Sequence, residues 1–290
     1  IFLVNSGAEA NENAIKLVRR STGKPGILSF EGGFHGRTIG ALSATGNEQY
    51  RMAFSPQVSD HHFVPFGDMD ATSQCCAQHE IGGILLEPIQ SMAGVRMAED
   101  QFYRDLRQFC DQMQIKLIFD EVQTGFGRTG SFFFASEEDV LPDVVTLAKG
   151  MGSGFPIGGL LLSDDLAREI DYGDLGTTFG GGPLACAALE ATISILQEQD
   201  LLEHVQKQSA YWCSAMQKLQ GVEQVLGKGF LLGMRTIKPA SWVQTKLREE
   251  HHILVGTSAD PHVIRLLPPL TLQRAHIDLF IDACYEILGS

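Results

Sequence analysis

Three short apolar runs constrain the fold of this chain more than any other feature: "IGGILLEPI" at 81–89, "LIFDEV" at 117–122 and "VVTLA" at 144–148. None is long enough for a typical helix, and none alternates apolar with polar residues. Each therefore reads as a strand buried on both faces. Shorter runs at 1–4, 27–30 and 158–162 read the same way. Between them lie helical patterns. "AEANENAIKLVRR" puts Ala10, Ala14, Ile15, Leu17 and Val18 at helical spacing, and 101–114 is amphipathic. Ser6 with Glu9 three residues later predicts a capping box at the first helix. Arg19 and Arg20 followed by Gly23 and Pro25 predict its end. Strands alternating with helices predict an α/β chain with a mostly parallel central sheet covered on both faces.

From Pro183 the pattern changes. A long helical stretch reads as one helix or two, followed by strand-like pieces near 229–234 and 263–267 and a final helix over 276–288. The expected organisation is a large domain over 1–182 and a smaller C-terminal α+β domain over 183–290. The first residue, Ile1, lies inside an apolar run, so the chain is expected to be part of a longer protein whose N-terminal segment is absent.

The formal net charge of −13, with no basic cluster, argues against a nucleic-acid partner. No apolar run reaches the roughly 18 residues of a membrane span, and no stretch reads as a signal peptide. The six cysteines lack CxxC spacing and read as reduced thiols of a cytoplasmic protein. The pairs His61-His62 and His251-His252 sit in no HExxH or CxxC context, so no metal site is expected.

Sheets of this kind bind ligands at the C-terminal ends of their strands. Asp120 and Lys149 both fall there. A lysine after a buried strand loses solvation, which lowers its pKa and makes its amine a candidate for covalent chemistry. Gly150, Gly152 and Gly154 let backbone or ligand approach closely, yet the run is neither GxGxxG nor a Walker pattern. Asp120 at a strand end needs a cation or donors to offset its burial. Ser6-Gly7-Ala8 opens a helix whose outward N–H groups and dipole suit a phosphate. An aldehyde that carries both a phosphate and a basic ring nitrogen uses all three groups, and pyridoxal 5'-phosphate is such a ligand.

The motifs "NSGAEANENAIKLVR", "FHGRT", "EPIQ", "DEVQTGFGRTG", "LAKGMGSGFPIGG" and "TTFGGGPLACAA" occur in this order along nearly the whole chain. Together they resemble the class-III aminotransferases of PLP fold type I, most closely the acetylornithine and ornithine aminotransferase branch. The resemblance implies that Lys149 carries the cofactor and shuttles the proton, and that Asp120 pairs with the ring nitrogen. It implies that Ser6, Gly7 and Ala8 hold the phosphate, that Phe34 stacks on the ring with Val122 on its other face, and that Gln123 lies near the phenolic oxygen. Thr178 matches the threonine that reaches the cofactor phosphate of the neighbouring subunit, which implies a homodimer with shared sites. Arg37 and Arg265 match the arginines that grip substrate carboxylates, with Glu87 and Met92 beside the substrate. The implied reaction moves an amino group from an N-acetylornithine-like or other ω-amino donor to 2-oxoglutarate, as in arginine biosynthesis.

Two positions depart from the family pattern. Met92 stands where an acidic residue is usual, and Gly181-Gly182-Pro183 lacks an asparagine. Other readings on the same frame are a 4-aminobutyrate or diamine transaminase, or an aminomutase of the glutamate semialdehyde type. An inactive PLP-fold partner domain is a reading of a different class. With an acid absent at position 92, Arg265 is expected to stand available or to be held by another group such as Glu87.

Overall fold

The structure, a computed structural model, describes residues 1–137 and 140–289. The chain forms two compact units. One comprises Ile1–Pro88, Ala98–Gly125 and Phe133–Ser194, and the other Ile89–Met97, Phe126–Phe132 and Ile195–Ser290. A single cut after Gly182 therefore does not describe the chain. Two short excursions, 89–97 and 126–132, belong with the C-terminal body, and the helix Pro183–Glu198 runs through the later division. The excursions are tied in by hydrogen bonds within that body. Ala259 N donates to Met92 O at 2.8 Å, and Phe230 N donates to Arg128 O at 2.8 Å.

The first unit is built on a seven-stranded sheet in the order Phe2–Val4, Gly158–Leu162, Val144–Leu147, Lys116–Asp120, Ile81–Leu86, Gly26–Phe30, His61–Val64. Gly158–Leu162 runs antiparallel to both of its neighbours, and the other pairings are parallel. Gly26–Phe30, Ile81–Leu86 and Val144–Leu147 are buried at every position, as strands covered on both faces must be. Side chains such as Ile84, Ile118 and Phe119 are completely buried, each worth about 1.5–3 kcal/mol over an exposed position. The strand expected over 81–89 stops at Leu86, before Glu87 and Pro88. Proline has no N–H to continue the ladder, and Ile89–Gln90 pairs instead with Arg96–Met97 in the other unit.

The helix Gly7–Thr22 starts and stops where its sequence signals place it. Ser6 Oγ accepts from Glu9 N at 3.2 Å, and Gly23 closes the helix at φ 66°, a backbone region that glycine enters without steric cost. Only half of the expected capping box forms. The Glu9 carboxylate accepts from Asn5 N at 2.8 Å and Asn5 Nδ2 at 2.9 Å, so it ties down the residue before the cap.

The second unit has a four-stranded antiparallel sheet ordered Val222–Lys228, Leu231–Thr236, Val263–Leu266, Gly256–Thr257. Helices Leu201–Met216, Ala240–His251 and Arg274–Leu288 accompany it. The stretch after Pro183 is thus two helices. The core of this unit gathers Trp212, Phe230, Met234, Ile264 and Phe280, with the Trp212 and Phe280 rings edge to face at 5.3 Å. Among the described residues no helix is long and apolar enough to cross a membrane.

Candidate active site

Two neighbouring parallel strands deliver the acid and the amine together. Asp120 is the last residue of Lys116–Asp120 and pairs in register with Thr146 of Val144–Leu147. Lys149 follows three residues after Thr146, at the first position of a short 3₁₀ turn over Lys149–Gly152. Its φ of 44° is in the left-handed region, where a non-glycine residue costs about 1–3 kcal/mol. The turn thus holds the lysine against a local preference. In the first unit a cleft of about 270 Å³ is lined by Gly7, Ala8, Phe34, Arg37, Glu87, Asp120, Val122, Gln123 and Lys149, with Asn11, His35, Gly36 and Ala148 between them.

Asp120 is 4% exposed, and its burial is offset by three donors. Oδ2 accepts from Asn11 Nδ2 at 2.7 Å and lies 2.8 Å from His35 Nδ1, while Oδ1 accepts from Val122 N at 3.1 Å. Asn11 is the centre of this network. Its Nδ2 also donates to His35 O at 2.7 Å, and its Oδ1 accepts from Thr146 Oγ1 at 2.7 Å. Behind it, Thr45 Oγ1 accepts from His35 N at 3.0 Å. Asn11 was missing from the sequence-based set. A signal for it existed, because position 11 lies three and four residues before Ala14 and Ile15, on the apolar face of the helix. A polar residue on a buried stripe must have partners.

Gly7, Ala8 and Phe34 line the same cleft. Gly7 and Ala8 open the helix Gly7–Thr22, whose first-turn N–H groups lack intrahelical acceptors. A Cβ on Gly7 would lie 2.8 Å from Val122 Cγ2, and one on Gly36 would lie 2.7 Å from Ala8 Cβ. The close approach of these segments is therefore possible only without side chains. The Phe34 ring meets Tyr50 edge to face at 6.4 Å, and the Arg37 guanidinium lies over Tyr50 at 4.0 Å. Anion donors, a lysine amine, a donor-held carboxylate and an aromatic face in one cleft fit pyridoxal phosphate.

Glu87 sits against the same cleft, 3% exposed. Its Oε1 accepts from Phe34 N at 2.8 Å, and Gln123 Nε2 lies 3.5 Å from Oε2. Burial first, then the Asp120 charge, pushes its carboxyl from 4.5 up to about 8, against the opposing pull of Phe34 N, Lys149 and Gln123. The sign of the consequence follows from proton counting. Between the two values the folded chain holds a proton that the unfolded chain has lost, so stability declines as pH rises through that window and levels off above it. In the cofactor-free chain, Glu87→Gln is expected to flatten that decline. Urea unfolding across the window measures it, and an unchanged slope would remove Glu87 as its source.

Other expectations are met differently. Lys149 is exposed and lines the cleft. Ser6 is exposed and serves as the helix cap rather than as a lining residue. Thr178 is exposed in its loop and does not line this cleft. Arg265 and Met92 belong to the second unit. There the Arg265 Nε donates to Thr257 O at 2.6 Å, and Nη1 donates to Ser91 Oγ at 3.0 Å. Arg265 is thus held by other groups, a carbonyl and a hydroxyl of its own unit. Ser91, directly before Met92, went unnoticed in the sequence.

Comparison with known proteins gives the same reading. Residues 1–288 match the family described as Aminotransferase class-III. The acetylornithine aminotransferase of Methanopyrus kandleri is 42% identical over 281 residues, covering 96% of this chain and 72% of that protein. That of Bacillus subtilis is 39% identical over 280 residues, again 96% and 72%. The ornithine aminotransferase of Toxoplasma gondii, solved with partial occupancy of PLP, superposes with a TM-score of 0.92 at 25% identity, covering 99% of this chain and 72% of that one. An (S)-enantioselective omega-transaminase from Thermomicrobium roseum gives 0.89 at 30% identity, covering 99% and 74%. Matched by the family over residues 1–288 and 39–42% identical to these relatives over 96% of its length, this chain belongs to the class-III aminotransferases.

Proposed function

We propose that the chain is a transaminase that moves an amino group from an N-acetylornithine-like ω-amino donor to 2-oxoglutarate. The observation that carries this reading is the delivery of Asp120 and Lys149 by adjacent strands into one cleft at a helix N-terminus. The identity to acetylornithine aminotransferases supports the choice of donor. Bound pyridoxal phosphate supplies an aldehyde that takes up the donor amine and a protonated ring that withdraws electrons.

The chain's own residues do the rest. The Gly7 and Ala8 N–H groups bind the phosphate, and Phe34 and Val122 fix the plane of the ring. Asp120, held by Asn11 and His35, keeps the ring nitrogen protonated. Lys149 would hold the cofactor covalently, and its Nζ would serve as the group that moves the proton at the donor carbon. In this reading Arg37 grips a substrate carboxylate. A half-reaction screen tests the assignment: the cofactor-loaded chain is mixed singly with N-acetylornithine, ornithine, 4-aminobutyrate and glutamate, and loss of the cofactor's visible band is followed. N-acetylornithine and glutamate are expected to react fastest, and faster 4-aminobutyrate would overturn the donor choice.

Met92 tunes this choice in the same reading. An acid at position 92 would compete with Ser91 for Arg265, and a thioether accepts hydrogen bonds only weakly. Met92→Glu is expected to slow the glutamate half-reaction relative to that of N-acetylornithine, by about tenfold for about 1.4 kcal/mol of lost contact. An unmoved ratio would show that position 92 does not gate the site.

A homodimer with Thr178 facing the partner's site completes the reading. Phe179 at 78% and Leu184 at 75% exposure flank the Thr178 loop, and large apolar side chains left in water mark contact surfaces. A monomeric mass in sedimentation equilibrium would end this part of the proposal.

A further inference from the structure

At the edge of the first unit's sheet, three metal-binding side chains converge far from any motif that sequence spacing reveals. His62 lies on the edge strand His61–Val64, Cys75 on the helix Met69–Gln78, and His79 at the residue that ends that helix. One nitrogen or sulfur from each lies within 4.8 Å of the others. No HExxH or CxxC context marks these residues in the sequence, yet folding brings the strand and the helix together.

The local geometry shows how. Successive strand residues point to opposite faces. His61 contacts Arg19 on one side, with Nε2 3.3 Å from Nη2, and His62 stacks on His79 on the other, at 4.0 Å between ring centroids. Cys75 and His79 are four residues apart, one helical turn. The backbone locks the pair, since His79 N donates to Cys75 O at 3.1 Å. The three line a shallow surface cavity with Gln74 and Gln78.

We propose that His62, Cys75 and His79 form a second site, separate from the catalytic cleft, for a borderline-soft transition-metal ion such as Zn²⁺. Two imidazoles and a thiolate suit that class of ion, and three protein ligands leave a fourth tetrahedral position for water. Bond lengths of about 2.0–2.3 Å place tetrahedral ligand atoms roughly 3.4–3.6 Å apart, so binding draws the cluster in by about 1 Å and turns the stacked rings edge-on to the ion. His79 is exposed and His62 and Cys75 partly so, which leaves room for that rotation. Burial first, and the nearby His79 second, hold His62 below its ordinary value, which keeps it in the neutral, ligating form. Burial raises the Cys75 thiol. Its proton passes to solvent as the metal–sulfur bond forms. The bound ion would fasten an otherwise half-paired edge strand to the helix beside it.

Co²⁺ is the test probe, added to the full, tag-free chain loaded with its cofactor. The expected result is one equivalent bound with a sulfur-to-cobalt charge-transfer band in the difference spectrum and ligand-field bands in the red, both displaced by Zn²⁺. Cys75→Ser is expected to abolish the charge-transfer band. His79→Asn is expected to weaken binding by at least about tenfold, a scale on which even supporting groups are felt at metal sites. Both variants should retain the wild-type half-reaction rate and circular dichroism. No tetrahedral band in the wild type, a band that persists in Cys75→Ser, or wild-type affinity in His79→Asn would each overturn the proposal.

Discussion

Replacing Lys149 with alanine is expected to lower transamination by about 10⁴-fold or more, the upper range for a group that positions and transfers protons. The loss would be larger than binding alone explains, because in the proposed mechanism the same amine both carries the cofactor and moves the proton. The variant should still retain pyridoxal phosphate, since the first turn of Gly7–Thr22, Phe34 and Asp120 remain in the cleft. Two measurements check this: kcat with donor and 2-oxoglutarate, and borohydride treatment, which fixes the cofactor to the wild-type chain but leaves it removable from Lys149→Ala. Normal turnover in the variant would end the assignment of this lysine.

The second large effect is expected at Asp120. An ion-paired hydrogen bond to the ring nitrogen is worth about 1.5–3 kcal/mol, so Asp120→Ala should reduce kcat by about 10- to 100-fold while changing the cofactor's affinity far less. It carries a second signature. With the carboxylate gone, the Asn11 amide and the His35 ring lose their shared acceptor at Oδ2. Stranding a buried donor costs about 1–3 kcal/mol. The cofactor-free variant should therefore unfold at lower urea than wild type. Asp120→Asn separates the two effects, because it restores an acceptor without restoring the charge. Stability should recover while kcat stays low. Recovery of both together would show that Asp120 serves the fold and not the ring.

Much of this was legible because parallel strands covered on both faces read as unbroken apolar runs, and the acid and the lysine stand at the ends of two of them. What sequence missed lies where burial is partial. The edge strand His61–Val64 buries only Val64, and its two histidines hide the pattern. Helix Met69–Gln78 buries only Thr72 and Cys76, too little apolar surface to set a period. Strand Val222–Lys228 has no fully buried position, so the hairpin it forms with Leu231–Thr236 was seen only from its inner half. The site was hidden in another way. Asn11 and Ser91 act through partners distant in sequence, Asp120 and Arg265, and local pattern carries no trace of such pairings.

The amide at position 11 has a genetic consequence. One side of it takes the Thr146 hydroxyl and the other gives to Asp120. Aspartate there would set two carboxylates against each other, glutamine would overreach, and serine has a single atom for both jobs. Positions 11, 120 and 146 therefore cannot drift one at a time. In a library randomised at residue 11 alone, active clones should return almost entirely as asparagine, whereas joint randomisation of all three could find other solutions.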